Sequence, residues 1–550
     1  MFLTLNNCEY DVIKNVITND FNFMCTEDER VDFDIIWHNT GLKISQIKKL
    51  KSYQKYNHFP GMYQLARKTN LGRNLMKMCK LHPEEYGFFP KTWILPNDYN
   101  EFLKHYKAHE NKTYIVKPDM NSQGRGIYLT KNKDDINSKS WAVIQEYVDE
   151  PFLVDNLKFD IRLYVLILSV DPLRIYIYDE GLVRFATVEY QKPTDDNMEN
   201  TYIHLTNYAI NKHNENFVCS EDNPRGHKRS LKLFWEQLKE SGIETGVIKE
   251  EINDVVVKTL VSVQPQLAHQ YRSWFTEEVD GSQWFELLGF DIMLDENLDP
   301  ILIEVNHAPS FATDAKLDLD LKRNLIHDTF KLLNMSLKRK NKYKKEQNKV
   351  AQNRIFTGRK EIQSVDDKER LHKLNNIAKH KFETANTGGF YLVYPVVDEN
   401  NNIVYDPIHD YSLEPLKWES KAENKTGSED STSDGSKNIS DPQPVITLEP
   451  KLTENEKLAR KYQKFIDDAY GEWEDFTTGF KLKNKNMMLP EDHSTHEQLR
   501  DRGLNSRNPV RNKNIFQSTA RNSSKTGFGT SAKRIIDHGK WFSFKYQYRK

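Results

Sequence analysis

Two carboxylates and an amide recur at a spacing that suits a divalent cation. Asp291 lies in the run Phe290 to Leu294, and Glu304 and Asn306 lie in the run Ile301 to Asn306. The stretch Asp295 to Pro300 between them has turn composition, so the two runs read as a β-hairpin. Period-2 alternation puts Glu304 and Asn306 on one face, with Asp291 reachable from the partner strand, and assigns Ile301, Ile303 and Val305 to the buried face. Magnesium prefers such oxygen ligands and completes its octahedron with water and nucleotide phosphates. A hairpin with ordinary surface acids is the competing reading.

Two more segments carry charge where charge needs a reason. Lys117-Pro118 closes a β-branched run and leads to Ser122-Gln123-Gly124-Arg125-Gly126-Ile127. There the glycines would let backbone N–H groups approach a phosphate, while Lys117 and Arg125 supply positive charge. The spacing matches neither GxxxxGKS/T nor GxGxxG, which excludes a P-loop and a Rossmann fingerprint; a plain hairpin turn fits this segment equally well. In Lys158 to Tyr164, alternation places Lys158, Asp160 and Arg162 on one face and Phe159, Ile161 and Leu163 on the other. The apolar run Val165 to Leu168 continues directly, which favours a central strand with a ligand-facing row over a solvated strand. No Ser-His-Asp or Cys-His arrangement competes for the chemistry.

These residues need strands to aim them. Strand-like runs cover Tyr114 to Val116, Val143 to Ile144, Phe159 to Val170, Arg174 to Tyr178, Leu182 to Thr187 and Ile301 to Val305. Helical spacing of apolar residues marks Leu231 to Glu240 and Ile252 to Val263, so the fold class is α/β or α+β. The 550 residues suffice for three or four domains, but 29% are charged and mean hydropathy is -0.76, so solvated segments dilute the folded part. The pattern from Phe33 to Leu332 is that of a folded core. Beyond it, Lys338, Arg339, Lys340, Lys342, Lys344, Lys345 and Lys349 form a basic stripe that continues through Arg354, Arg359 and Lys360. Helix-compatible sequence follows from Asp366 to Phe382. Between Trp418 and Pro444 there are too few large apolar residues to offset ordering entropy, so disorder is expected; a short amphipathic piece over Glu454 to Phe476 interrupts the uncommitted tail.

With 79 Lys+Arg against 80 Asp+Glu, attraction to an acidic partner must come from local clusters such as the basic stripe. The stripe has no interleaved aromatics of the kind that stack on single strands, which argues against nucleic acid. Four scattered cysteines, a start unlike a signal peptide and no run of about 20 apolar residues point to a soluble protein of a reducing, cytoplasmic compartment.

Several motifs then occur in order: Lys51-Ser52-Tyr53-Gln54-Lys55, Asn57-His58-Phe59-Pro60-Gly61-Met62, Val116-Lys117-Pro118-Asp119, Gln123 to Ile127, Glu180-Gly181-Leu182-Val183-Arg184-Phe185-Ala186-Thr187, His204-Leu205-Thr206-Asn207-Tyr208 and Glu304-Val305-Asn306-His307. Together they resemble the tubulin tyrosine ligase-like enzymes, and among these the chain-elongating tubulin polyglutamylases, almost continuously from Asn6 to Leu332. The resemblance implies an ATP-grasp fold with nucleotide between two lobes. It implies an N-terminal domain (1–85), a central domain (86–187), a C-terminal domain with the metal site (188–332), a basic helical microtubule-binding extension (333–395) and a mostly disordered tail (396–550).

By the same resemblance, Lys117, Gln123, Gly124, Arg125, Gly126, Lys158, Asp160, Thr206 and Asn207 line the ATP site, and Gln145, Glu146, Tyr147 and Val148 hold adenine and ribose. Magnesium is implied on Asp291, Glu304 and Asn306, and the incoming L-glutamate on Arg184, Tyr208 and Lys228. Asp160, Arg162 and His307 are the implied catalytic residues: Arg162 supports phosphate or the intermediate, and His307 faces the acceptor, with a structural hydrogen-bonding histidine as the alternative. Ser122, Ala209 and Ile301 depart from the family's usual Cys, Ser and Trp without removing a charge or a metal ligand.

The implied reaction needs no side-chain nucleophile. A carboxylate of a tubulin tail attacks the γ-phosphate of ATP to give an acyl phosphate, and the amine of glutamate displaces phosphate. The implied partners are tubulin and microtubules, through their acidic C-terminal tails, and free L-glutamate. A monomer is expected, without nucleic acid or membrane, on the cytoskeleton of the cytoplasm; cilium, axoneme or basal body follow from the family alone. Glycine or tyrosine ligation and a catalytically inactive microtubule-binding scaffold are the rival readings.

Overall fold

The computed structural model describes residues 1–5, 8–26, 31–39, 50–109, 111–119, 123–218, 225–274, 283–335, 337–357, 376–398, 403, 453–466 and 468. Readings made on Ser122, on Arg359 and Lys360, on Trp418 to Pro444 and on Arg500 to Lys550 fall outside them. Among the described residues no helix is long and apolar enough to cross a membrane.

The architecture is mixed α/β, built on three sheets. A parallel sheet near the N-terminus has the order β2-β1-β3-β4, from β1 (Phe2–Thr4), β2 (Met24–Thr26), β3 (Ile35–Ile36) and β4 (Lys55–Tyr56). A small antiparallel sheet has the order β5-β8-β6-β7, from β5 (Thr92–Ile94), β6 (Tyr114–Pro118), β7 (Tyr128–Thr130) and β8 (Ala142–Glu146). The third is seven-stranded: β9 (Phe159–Val170), β10 (Leu173–Tyr178), β11 (Leu182–Phe185), β12 (Lys228–Ser230), β13 (Glu286–Leu294), β14 (Pro300–Asn306) and β15 (Phe390–Tyr394).

Strand β9 is the axis of that sheet. Strand β13 pairs with residues 161–167 of β9, overlapping the stretches that pair with β11 (159–162) and with β10 (165–170). A strand has only two edges, so β10 and β11 lie end to end along one of them and β13 takes the other. Burial on both faces explains the near-continuous apolar run in the sequence. Phe159, Ile161, Leu163, Val165 and Ile167 enter one core, and Tyr164, Leu166 and Leu168 enter a second. On this second face the character changes at Tyr164. Apolar residues lie beyond it, while Arg162 and Asp160 precede it, and there the site begins.

Helices cover both faces. On the second face lie α1 (Asp11–Asn19), through Val12, Ile13, Val16 and Ile17, and α6 (Lys316–Leu332), through Leu321, Leu325, Ile326 and Phe330. On the first face lie α2 (Lys68–Leu81), α3 (Leu231–Glu240), α4 (Thr245–Val261) and α5 (Gln264–Trp274). Helix α3 forms because Leu231, Phe234, Trp235 and Leu238 fall on one stripe and the Ser230 hydroxyl accepts a bond from the Leu233 N–H at its start.

The basic stripe is helical over α7 (Leu337–Thr357). Its first turns are pinned: Lys340 Nζ lies 3.0 Å from Asp34, Lys344 Nζ lies 3.0 Å from Asp32, and the ring of Tyr343 packs 5.3 Å from that of Tyr53. Lys342, Lys345 and Lys349 are exposed. Thereafter the chain returns to the core. Residues 376–384 are helical, and Glu383 is buried against Arg174, with Nε at 2.6 Å. Strand β15 then pairs antiparallel with β10. Residues 454–466 form a further helix, whose Ala459, Tyr462, Phe465 and Ile466 are buried in the first core.

One sequence expectation fails at β14. A bulge shifts the register, so that Asp291 faces Glu304 but Ile292 faces Leu302. Ile303 is the extra residue, and it reverses the alternation. Leu302, not Ile301 or Ile303, is fully buried in the core; the two isoleucines are half-buried, and all three border the cleft described next.

Candidate functional site

Register brings the charged residues into one band across five strands. Lys228 on β12 stands opposite Arg184 on β11, and Arg184 stands opposite Asp160 on β9. One residue pair along, Arg162 stands opposite Asp291 on β13, and Asp291 opposite Glu304 on β14. Asp291 Oδ2 lies 2.9 Å from Arg162 Nη2 and 2.8 Å from Arg184 Nη2. Asp160 accepts from Arg184 Nε at 2.6 Å and from the Thr206 hydroxyl. Gly289 makes room for this: a Cβ there would lie 3.2 Å from Arg162 Cδ and Nε, so a larger residue would press the guanidinium away from β13 by a few tenths of an ångström.

Burial disfavours the charge on Asp291, yet Arg162 and Arg184 outweigh it and hold the carboxyl below the usual range. Burial pushes Asp160 up despite Arg184, and the charge on Asp291 adds to that push. Glu304 is likewise pushed up by burial and by Asp291 beside it. Asn306 Nδ2 lies 3.1 Å from Glu304 Oε1 and 3.4 Å from Asp291 Oδ2, so the three hairpin residues do converge. Two buried carboxylates crowded together are what a divalent cation relieves, and an amide turned over would offer it an oxygen. The donor set fits magnesium. Among the described residues no three Asp, Glu, His or Cys side chains cluster as a metal site, so the fit depends on the amide.

Beside this band a cleft of about 720 Å³, partly open to solvent, lies between the small antiparallel sheet and the large one. Lys117, Gln145, Glu146, Tyr147, Val148, Lys158, Asp160, Thr206, Asn207, Asp291 and Glu304 line it. Lys117 Nζ donates to Gln145 Oε1 at 2.7 Å; Lys158 Nζ donates to the Tyr147 hydroxyl at 2.8 Å and lies 4.1 Å from that ring's centre. Neither lysine makes an ion pair among the described residues. Burial therefore pulls Lys117 down to about 8 and Lys158 to about 7. Two buried amines with no carboxylate in ion-pair contact among the described residues suit an anion.

Other expected residues stand at the margin. The backbone of the glycine loop turns with positive φ at Gln123, Gly124 and Gly126, and Gly124 abuts Ile210 and Asn207, where a Cβ would meet Ile210 Cδ1 at 2.5 Å. Gln123, Arg125 and Gly126 are exposed at the cleft's edge. Arg184, Tyr208 and Lys228 form an adjoining corner in which Lys228 Nζ lies 4.7 Å from the Tyr208 ring centre and bonds to Asp318. His307 is exposed, its ring 6.0 Å from that of His58, which in turn faces the buried Glu286 at 3.0 Å.

Sequence reasoning missed the apolar lining, namely Pro90, Ile115, Ile127, Leu205, Met293, Ile301, Leu302 and Ile303, together with His204, whose Nδ1 lies 3.1 Å from the Tyr147 hydroxyl. Two of these were within reach. Ile115 and Met293 lie two residues from Lys117 and Asp291 on the same strands, hence on the same faces.

Residues 45–343 match the family described as "Tubulin-tyrosine ligase family". A probable beta-tubulin polyglutamylase of Tetrahymena thermophila is 43% identical over 408 residues, covering 73% of this chain and 34% of that protein. Tubulin polyglutamylase ttll6 of Danio rerio is 40% identical over 395 residues, 72% of this chain and 50% of that protein. Tubulin polyglutamylase TTLL7 of Xenopus tropicalis is 37% identical over 417 residues, 71% and 46% respectively. The chain thus spans a third to a half of the length of these relatives. On the family match and on this identity across most of its length, the chain belongs to the tubulin-tyrosine ligase family.

Proposed function

We propose that this chain is an ATP-dependent tubulin polyglutamylase that joins glutamate to glutamate side chains, and preferably to existing branch chains, on tubulin C-terminal tails. The observation that carries the proposal is the band in which two arginines, two aspartates and Glu304 meet beside a cleft containing two buried lysines. The curated relatives, named tubulin polyglutamylases, supply the acceptor and the amino acid. On this reading the chain is an ATP-grasp enzyme with ATP between the small antiparallel sheet and the large sheet.

The apolar lining, with Glu146, Tyr147 and Val148, would hold the base and ribose, and Lys117 and Lys158 the phosphates. Asp291, Glu304 and Asn306 would hold magnesium, which would draw off charge developing on the transferred phosphoryl group. Arg162 lies beside these ligands, where it would neutralise the acyl phosphate formed when a tail carboxylate attacks the γ-phosphate. Arg184, Tyr208 and Lys228 would orient glutamate so that its amine reaches that carbonyl carbon and expels phosphate. His307, at the open rim, would meet the acceptor tail. The exposed lysines of α7 would attract the acidic microtubule surface and so raise the local concentration of tails. The setting is then the cytoskeleton, with ciliary or axonemal microtubules as one location.

Purified protein with microtubules, ATP, magnesium and glutamate should add mass to tubulin tails in steps of one glutamate residue, and more to tails that already carry a branch. Steps of glycine or tyrosine mass would make it a different ligase of the family. Binding to microtubules with no mass gain would make it a scaffold.

A further inference from the structure

We infer that Asp318 is a positioning residue for the amino-acid site: by holding Lys228 in place, its buried carboxylate sets how strongly an amino acid with a second carboxylate is bound. The inference rests on the reading of Arg184, Tyr208 and Lys228 as the glutamate site.

Asp318 lies in the first turn of α6 and is 1% exposed. One of its oxygens takes the ammonium of Lys228, and the other faces Lys322 Nζ at 2.8 Å, one helical turn on. Lys322 is itself buried and also donates to the Ala312 carbonyl, so the far side of the carboxylate is fixed. Lys228 is thereby held at one point against the Tyr208 ring, beside its register partner Arg184. A lysine carries its charge on a flexible four-carbon stem, and such a stem is useful in recognition only when something fixes its end.

The placement of the cations gives the corner its chemistry. Arg184 and Lys228 stand opposite each other on paired strands, and Asp318 ties Lys228 to Lys322 behind it. A ligand with one carboxylate for Arg184 and a second for Lys228 engages both cations; glycine, with one carboxylate, engages one. Asp318 need not touch the ligand, because both its oxygens face lysines.

The test compares wild type, Asp318→Asn and Asp318→Glu in the 550-residue chain with microtubules, measuring KM for glutamate, KM for ATP and kcat. Asn should raise KM for glutamate about 10- to 100-fold, the range given by losing one hydrogen bond between charged groups, with KM for ATP within about twofold. Glu should restore much of it. The effect should vanish when Lys228 is already Met, since the two then act through one contact. If Asp318→Asn does not fold, Asp318→Glu decides alone, with KM for glutamate raised several-fold and KM for ATP unchanged. Wild type that ligates glutamate while the folded variants keep its KM, or raise both KM values together, overturns the inference and leaves the proposed function standing. Wild type that ligates no glutamate removes the functional reading and this inference with it.

Discussion

Arg162 and Asp291 stand in register across β9 and β13, and Arg162 Nη2 lies 2.9 Å from the same Asp291 oxygen that Arg184 reaches at 2.8 Å. One buried carboxylate thus holds Arg162, shares Arg184 with Asp160 and is also the proposed metal ligand. Asp291→Asn should therefore lose stability as well as ligation, by about 3–5 kcal/mol, because it leaves an uncompensated buried charge. Urea unfolding of the variant reads this directly, and an unchanged midpoint would separate Asp291 from the arginines.

Glu304 should behave in the opposite way. Burial and Asp291 push its carboxyl towards the neutral form, so Glu304→Gln resembles a state the fold already tolerates. Stability should change by less than about 1 kcal/mol. Ligation should fall about 100-fold or more, as for loss of a group that stabilises transition-state charge. A Gln variant with native ligation rate would remove the metal assignment.

Lys117 and Lys158 give the site a pH dependence of known sign. Their folded values, about 8 and about 7, lie below the ordinary 10.5, so protonation is costlier in the folded protein than in the unfolded chain. The ligand-free fold should gain stability as pH rises from about 7 towards 10, which is the span between the folded and unfolded values. Nucleotide phosphates need the protonated amines, so binding should take up protons near pH 8, and KM for ATP should rise between pH 7 and 9. Calorimetry in buffers of different ionisation enthalpy counts the protons; no uptake would show that these lysines are already charged.

The basic helix separates into anchors and exposed charges. Lys340→Ala leaves Asp34, 1% exposed, without the ammonium 3.0 Å away, and should cost about 2–4 kcal/mol of stability. Charge reversal at Lys342, Lys345 and Lys349 should leave the melting temperature within a degree or two, since such exposed charges contribute little to stability. The same triple variant should lower microtubule affinity about tenfold and flatten its salt dependence in co-sedimentation.

The helix over residues 454–466 is a structural part of the core. Phe465 is 2% exposed and its ring packs 5.5 Å from Tyr86 and 4.9 Å from His82. Phe465→Ala should destabilise the protein by about 3–5 kcal/mol. A chain ending at residue 398 should melt well below the 550-residue chain, and equal melting temperatures would place this helix outside the cooperative unit.

The sequence by itself determined the charged and apolar faces of β9, the hairpin that carries Asp291, Glu304 and Asn306, and the lysines of the cleft. Those are local facts: a period of two fixes which side chains share a face, whatever the strand pairs with. Alternation misled only at Ile301 and Ile303, because one bulged residue reverses the phase and a bulge leaves no mark in polarity. The long-range facts belonged to the tertiary structure. Register set Asp291 opposite Arg162, while packing of side chains across the sheet brought Arg184 to the same carboxylate and packing of α6 gave Lys228 to Asp318, ninety residues away. Packing of α7 also buried Lys340 against Asp34 and set Lys344 beside Asp32 at the surface, while Lys342, Lys345 and Lys349 stayed in water. None of these pairings could be read from residue type, since every Lys and Arg has many acids within reach of a folded chain, and only packing of the elements decides which one it meets.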